Sequence, residues 1–322
     1  MTAVMMIRWD TLFWGLNKKP MKNRARSCPV CSTSSDGAFL FFSENINPAR
    51  ISRYSFASRK DPEYMSHRMV RCPVCDLVYA DRPPSEESLN ESYRAASYDS
   101  SEEANDAAHT YFMAIRRSLG RLQGRGTALE IGTGTGIFLK HLQEAGFSTL
   151  VGVEPSRAAI DAATSECKSW IREGMFREQD FQPASFDLIC CFMTMEHVRD
   201  PMGIAESAMR LLRPGGIFLT VTHDYRSLVN RFLGRLSPIV DIEHIQIFSK
   251  KAIRDLFTRA GFVDVSAKSF ANSYSLRYWS RLSPFPLWIK SLLGGLFSKA
   301  VFSRIRILIN VGNTLTYGLK IQ

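Results

Sequence analysis

Four cysteines stand in two identical pairs, Cys28-Pro-Val-Cys31 and Cys72-Pro-Val-Cys75. A Cys-x-x-Cys spacing lets two thiolates grip one tetrahedral metal ion, and two such pairs complete a closed four-thiolate shell. The expectation is a structural zinc site at Cys28, Cys31, Cys72 and Cys75, with no open position for chemistry. The 40 residues between the pairs exceed the roughly 15–20 usual in zinc ribbons, so a loop or small sheet must lie between them. Two separate redox motifs are the alternative, but they need a thioredoxin-like βαβ context that is missing here. His67 is close to the second pair, where the four cysteines already fill the shell.

The second chemical stretch is Ala128-Leu-Glu-Ile-Gly-Thr-Gly-Thr-Gly-Ile-Phe-Leu-Lys-His-Leu142. It reads as a short buried strand over 127–131, a turn at Gly132, Gly134 and Gly136, and a helix over 137–145. Glycine removes the side chain that would block a ligand, and free N–H groups at a helix start face it. Alone, the spacing also describes a tight turn with no ligand, and it is not the GxGxxG dinucleotide fingerprint. Glu130 adds weight, because an unpaired carboxylate at the end of a buried strand is costly. The next apolar run, 149–153, ends in Glu154-Pro155, about 20 residues past the glycines, where an acid accepts hydrogen bonds from ribose hydroxyls.

Taken in order, Glu130-Ile-Gly-Thr-Gly-Thr-Gly136, Val153-Glu154-Pro155, Ser185-Phe-Asp-Leu-Ile189, Glu196-His197 and Leu212-Arg-Pro-Gly-Gly216 resemble the motifs of class I S-adenosylmethionine-dependent methyltransferases. The resemblance covers about Thr110 to Phe270. It implies an α/β, Rossmann-like sheet of seven strands with the seventh antiparallel. It implies S-adenosyl-L-methionine as cofactor, bound by Glu130, Gly132, Thr133, Gly134 and Gly136, with Glu154 on the ribose, Met175 and Phe176 flanking the adenine, and Met193 in the strand exit facing the cofactor. The cysteine pairs and the following Pro-Pro-Ser-Glu-Glu resemble the N-terminal zinc-binding module that precedes the methyltransferase domain in some bacterial enzymes.

Around these motifs, 322 residues with 45% hydrophobic content provide a folded α/β domain and a smaller one. The expected division is an N-terminal extension over 1–27, a zinc-binding module over 28–94 and a methyltransferase domain over 107–322. Trp9, Phe13 and Trp14 are read as a short amphipathic turn in an extension dispensable up to Met21. Residues 95–106 read as a linker or lid, 107–122 as the helix leading into the core, and 166–171 as the third strand. The remaining strands fall at 186–191, 217–222, 262–268 and 312–321. Residues 269–311 form a helical insertion before the last strand. Cys190 and Cys191 read as small buried apolar residues.

The net charge of +10 is uneven: +7 over 1–60, −5 over 61–264 and +8 over 265–322. Basic ends suit an anionic partner or a solvated basic surface. The insertion combines aromatic and leucine residues with Arg277, Arg281 and Lys290 and holds no acid, the composition of an interfacial helix. A helical cover or a dimer face fits that composition equally. Peripheral contact with an anionic membrane surface is thus one expectation. No apolar run reaches the roughly 20 residues needed to span a bilayer, and no signal peptide is evident, so the expected location is cytoplasmic.

Methyl transfer from a sulfonium depends chiefly on alignment, and an oxygen acceptor gains from a base. His197, His223 and His244 follow strand ends, and histidine suits that work near neutral pH. His197 ranks first, then His244. The function expected is methyl transfer to a small-molecule or glycan-type acceptor, sugar or lipid-linked. An RNA methyltransferase and a non-catalytic cofactor-binding protein are the alternatives. Nucleic acid is disfavoured because no usual RNA-binding module is present.

Overall fold

The computed structural model describes residues 17–20, 25–122, 124–297 and 305–321. Trp9, Phe13 and Trp14 lie outside them. The chain opens with β1 (Asn17–Pro20), β2 (Phe39–Phe42), β3 (Met69–Arg71), β4 (Val78–Ala80), α1 (Glu86–Ala95) and α2 (Ser101–Leu119). It then alternates through β5 (Thr127–Ile131), α3 (Ile137–Glu144), β6 (Thr149–Glu154), α4 (Arg157–Ala162), α5 (Ser165–Lys168), β7 (Ile171–Glu173), β8 (Phe186–Phe192), α6 (Pro201–Leu211) and β9 (Leu212–His223). After α7 (Leu228–Leu233) come β10 (Gln246–Ile247), α8 (Lys250–Arg259) and β11 (Val263–Ser269). Last are β12 (Asn272–Ser275), α9 (Leu276–Leu282), α10 (Leu287–Phe297), β13 (Arg306–Ile309) and β14 (Asn313–Leu319).

The large sheet has the order β11-β14-β9-β8-β5-β6-β7. β14 runs antiparallel to both neighbours, whereas β5, β6, β7, β8 and β9 pair in parallel. Because parallel strands are covered on both faces, they read as continuous apolar runs. Leu129, Ile131, Ile189, Cys191 and Phe218 join one core under α6 and α8. Ala128, Leu188, Cys190, Leu219 and Val221 join the other under α2 and α3. Cys190 and Cys191 are fully buried, as read from the sequence. Asp187 ties three strands together: it accepts from the N–H of Gly126 and Thr127 (both 2.8 Å) and pairs with Arg213 (3.0 Å). Side-chain caps fix helix starts at Ser85, Ser156, Asp200 and Ser249.

The expected third strand is corrected. Thr164 caps Ser165–Lys168 as a short helix, with its Oγ1 accepting from the N–H of Cys167, and the strand is Ile171–Glu173. The helix leading into the core begins at Ser101, so half of the expected linker is helical. The insertion is not purely helical, because β12 and β13 pair antiparallel around α9 and α10.

The second sheet has the order β1-β2-β3-β4-β10. Its last strand comes from the catalytic part of the chain: Gln246 pairs with Tyr79 and Ile247 with Val78. The apolar core is shared too, with Val30, Val70, Leu77 and Tyr79 in one cluster with Phe248, Ala252 and Ile253. The cysteine-bearing segment is therefore welded to the large domain by a strand and a core.

Candidate active site

Strand order reverses about β5, with β6 on one side and β8 on the other, and ligands of open α/β sheets sit at the carboxyl ends of strands at such a point. Here β5 meets the glycine turn. Gly132, Gly134 and Gly136 all have positive φ (74°, 58° and 71°), the left-handed region that favours glycine. A Cβ on Gly132 would lie 2.2 Å from Thr194 Oγ1, while one on Gly134 would meet nothing within 4 Å. Gly134 thus leaves an open cradle in the cavity wall. Gly136 is not part of that wall; it caps α3 and packs near Cys167 and Ile171.

Two buried acids flank the turn. Thr133 Oγ1 donates to Glu130 Oε2, and burial pushes the Glu130 carboxyl up to about 8, against the pull of that hydrogen bond. Glu154 accepts from the N–H of Gly134 (2.7 Å) and Ser156 (2.8 Å). Burial raises its pKa as well, and these two N–H groups oppose the shift. Each Glu154 oxygen keeps acceptor capacity for a further hydroxyl.

One cavity of about 890 Å³ includes Glu130, Gly132, Thr133, Gly134, Glu154, Met175, Phe176 and Met193 in its wall. The same cavity reaches His197, His223 and His244. His244 lies between the other two, with ring centroids 4.8 Å from His197 and 5.5 Å from His223. His244 Nδ1 lies 2.9 Å from Ile239 O, and because a carbonyl oxygen only accepts, its proton sits on Nδ1 and Nε2 is left as the acceptor. His197 Nδ1 lies 3.2 Å from Glu243 O and 3.0 Å from the Tyr93 hydroxyl. His223 Nδ1 lies 3.1 Å from Asn313 Oδ1. Burial holds all three imidazoles neutral, lowering His197 and His223 to about 4 and His244 well below its usual value.

Glu196, the acid before His197, does not line the cavity. It is fully buried, and its Oε1 accepts from the N–H of His223 (2.7 Å), fastening the end of β8 to that of β9. Glu243 was missed in the sequence, although it adjoins His244. Its carboxyl faces the cavity 4.0 Å from His244 Nε2, and burial pushes it up to about 8. Also missed were Tyr93, whose hydroxyl sits 3.0 Å from His197 Nδ1, Arg59, and the asparagines at the starts of β12 and β14. Asn272 and Asn313 line the cavity, and their buried Oδ1 and Nδ2 have no partner among the described residues. Lone asparagines carry no sequence signal that would have found them.

Residues 103–267 match the family described as Methyltransferase domain. The chain belongs to this methyltransferase family. A ubiquinone biosynthesis O-methyltransferase of Methylococcus capsulatus is 30% identical over 121 residues, covering 35% of this chain and 50% of that protein. One from Pseudomonas fluorescens is 24% identical over 177 residues, 52% of this chain and 66% of that protein. The chain spans about half the length of the first of these relatives. Among solved structures, phosphoethanolamine N-methyltransferase 2 of Haemonchus contortus in complex with S-adenosyl-L-methionine has a TM-score of 0.48 at 14% identity, covering 76% of this chain and 62% of that one. The cofactor of such methyltransferases is S-adenosyl-L-methionine. The open cradle at Gly134 and the spare acceptor capacity of Glu154 fit its bulk and its ribose.

The four cysteines expected to hold metal converge. Their sulfurs all lie within 4.8 Å of one another and none is in a disulfide. Both pairs use the same turn. Cys28 O accepts from the N–H of Ser32, and Cys72 O accepts from that of Asp76; Ser32 and Asp76 have φ of 58° and 68°. Sulfur-to-sulfur contact drives the Cys72 thiol down and pushes Cys28 and Cys75 up. Four adjacent thiols cannot all ionise without a cation among them, so the donor set fits a structural zinc ion.

Proposed function

We propose that the protein transfers the methyl group of S-adenosylmethionine to a hydroxyl oxygen of a small acceptor held beside His197. The observation that carries this reading is the single cavity joining the glycine turn to the three histidines. When bound, the cofactor supplies an electrophilic methyl on a sulfonium. Gly132, Thr133, Gly134 and Glu130 hold its amino-acid part, Glu154 its ribose, and Met175, Phe176 and Met193 its purine side. His197, neutral and held near Glu243 O, would take the acceptor's hydroxyl proton as the methyl passes from the sulfonium sulfur to oxygen. Oxygen as the acceptor atom agrees with the relatives named O-methyltransferases.

The acceptor is read as amphiphilic, sugar or phenol-like and lipid-linked. Asn272, Asn313 and Glu243 offer the directional polar contacts a polyhydroxylated ring takes, and Trp279 and Tyr278 offer aromatic surface. Val229, Leu233 and Ile309 line the cavity, and their own elements expose Leu228 (82%), Phe232 (76%) and Leu308 (69%) to solvent. Trp288, on α10, is 71% exposed. With +8 over 265–322, this apolar rim suits a peripheral position on the inner membrane face. No helix among the described residues is long and apolar enough to cross a membrane.

The test is transfer of labelled methyl from S-adenosylmethionine to phenolic, sugar and lipid-linked acceptors, with and without anionic vesicles. Label in an ether, enhanced by vesicles, supports the reading. Label on carbon or nitrogen overturns the acceptor atom, and failure to bind S-adenosylhomocysteine overturns the enzyme.

A further inference from the structure

The 40-residue stretch between the cysteine pairs is not a passive spacer. Phe56, Arg59, Lys60 and Pro62 from it line the cavity. The backbone around Arg59 is fixed on both sides. Ser58 O accepts from Ser100 Oγ (2.9 Å), and Lys60 pairs with Glu63 (2.7 Å) and Asp241 (3.2 Å). Arg59 itself is held at φ 56°, a left-handed conformation that is unfavourable for a side-chain-bearing residue. Such strain persists only where the surroundings impose it, and it aims a guanidinium into the cavity.

That guanidinium has a different setting from its neighbours. Lys60 has two carboxylates, and Arg281 has Asp61 (3.0 Å) and Glu103 (3.4 Å). Among the described residues, no carboxylate stands within ion-pair distance of Arg59. Its companions in the wall are Tyr98, Tyr111, Tyr274 and Tyr278, drawn from three segments of the chain. Tyr111 and Tyr274 line the same cavity as Arg59. Tyr274 and Tyr278 pack edge to face at 4.7 Å. The Tyr98 hydroxyl is buried with no partner among the described residues. Burial works against the charge of Arg59. Glu130 is affected by Arg59 only weakly and, pushed up to about 8, is no counterion at neutral pH.

Arg59 is half-buried, and a cation partly withdrawn from water without a counterion is costly, while phenol oxygens supply no charge. A guanidinium beside hydroxyl donors is the donor set that carboxylates and phosphates take in pairs of charge-assisted hydrogen bonds. We propose that Arg59, with Tyr98, Tyr111, Tyr274 and Tyr278, forms an anion subsite that receives a carboxylate or phosphate group of a ligand in this cavity. The inference rests on the methyltransferase reading above. Two sources share the chemistry: the amino-acid carboxylate of the cofactor, and an acidic group on the acceptor. In either case the segment between the zinc-binding pairs supplies a ligand contact.

The experiment is isothermal titration of the full chain, zinc-loaded, as wild type, Arg59→Gln, Arg59→Lys and Tyr98→Phe. The probes are S-adenosylhomocysteine, 5′-methylthioadenosine, which lacks the amino-acid carboxylate, and inorganic phosphate added to the homocysteine-loaded protein. If the cofactor's carboxylate is the anion, Arg59→Gln weakens S-adenosylhomocysteine at least about tenfold and leaves 5′-methylthioadenosine unchanged. If the acceptor's anion is held, the variant spares both nucleosides and abolishes phosphate binding. Arg59→Lys retains part of either effect. Should Arg59→Gln fail to fold, Tyr98→Phe removes only the unpartnered hydroxyl and is expected to weaken the same probe several-fold. Wild-type affinities for all three probes in the zinc-loaded Arg59→Gln and Tyr98→Phe proteins overturn the subsite. That result leaves the methyltransferase reading intact, since the latter fails only if the wild type does not bind S-adenosylhomocysteine.

Discussion

The two ends of the cavity are built in different ways. The glycine-turn end comes from neighbouring pieces of chain: Glu130 to Gly136 on one β-turn-α unit, and Glu154 at the tip of the adjacent strand. The histidine end is assembled from distant pieces. His197 follows β8, His223 closes β9, and Glu243 and His244 precede β10. Tyr93, beside His197, comes from the N-terminal segment, and Asn313, beside His223, from the last part of the chain. The contrast suggests that one end can keep its ligand while the other changes its own. A compact local motif needs only its strand and helix, whereas the far end depends on long-range packing that any of several segments can alter.

The largest effect expected at the glycine end is from Gly132→Ala. Its Cβ would meet Thr194 Oγ1 at 2.2 Å in a left-handed backbone, so about 2–5 kcal/mol of stability should be lost. Thermal unfolding and titration with S-adenosylhomocysteine should both register it; wild-type binding would show that the turn is not the cofactor end. Cys72→Ser tests the far end. Zinc content and acceptor turnover should fall together, because metal binding is coupled to the folding of its own segment, and S-adenosylhomocysteine affinity should stay within about threefold if Arg59 serves the acceptor rather than the cofactor. Loss of both ligands in step would merge the two ends into one unit, as their shared core permits.

His197→Ala should lower kcat by about 10²–10⁴, the usual worth of a positioned base, without changing S-adenosylhomocysteine affinity. Full turnover would remove His197 from the mechanism. The smallest effect expected is on pH dependence. His197 and His223 are lowered from 6.5 to about 4, so the unfolded chain binds more protons than the folded one between these values. Their contribution to stability is therefore present above about pH 6.5 and is lost as pH falls toward 4. Glu130 and Glu243, raised to about 8, work in the opposite sense: their contribution is present below the ordinary carboxylate range and is lost as pH rises toward 8. Melting curves of wild type and His223→Gln across pH 4–7 should differ in slope, the variant being flatter on the acid side. Equal slopes would mean that the imidazoles are not held neutral by burial.

The glycine-turn end was legible because its information is local. Glycines at alternate positions after a buried strand mark left-handed turns wherever they occur, and an acid at the next strand tip has few other uses. The cysteine pairs were legible for the same reason, since each repeats one metal-binding turn. The third strand was misplaced because one threonine cap outweighed a weak apolar pattern. Glu196 and His197, adjacent in a turn closed by the His197 N–H to Thr194 O, part company in space; one fastens β9 and the other faces the cavity.

The sequence by itself determined the sheet, the glycine turn with its two acids, the two cysteine pairs and the three histidines as the residues of interest. It did so because strand periodicity, turn geometry and thiol spacing are properties of short segments. Tertiary structure alone decided that β10 completes the N-terminal sheet, that His244 lies between His197 and His223, and that Arg59 reaches four tyrosines. Those arrangements depend on which distant surfaces bury one another, a choice set by the whole core and by no local pattern.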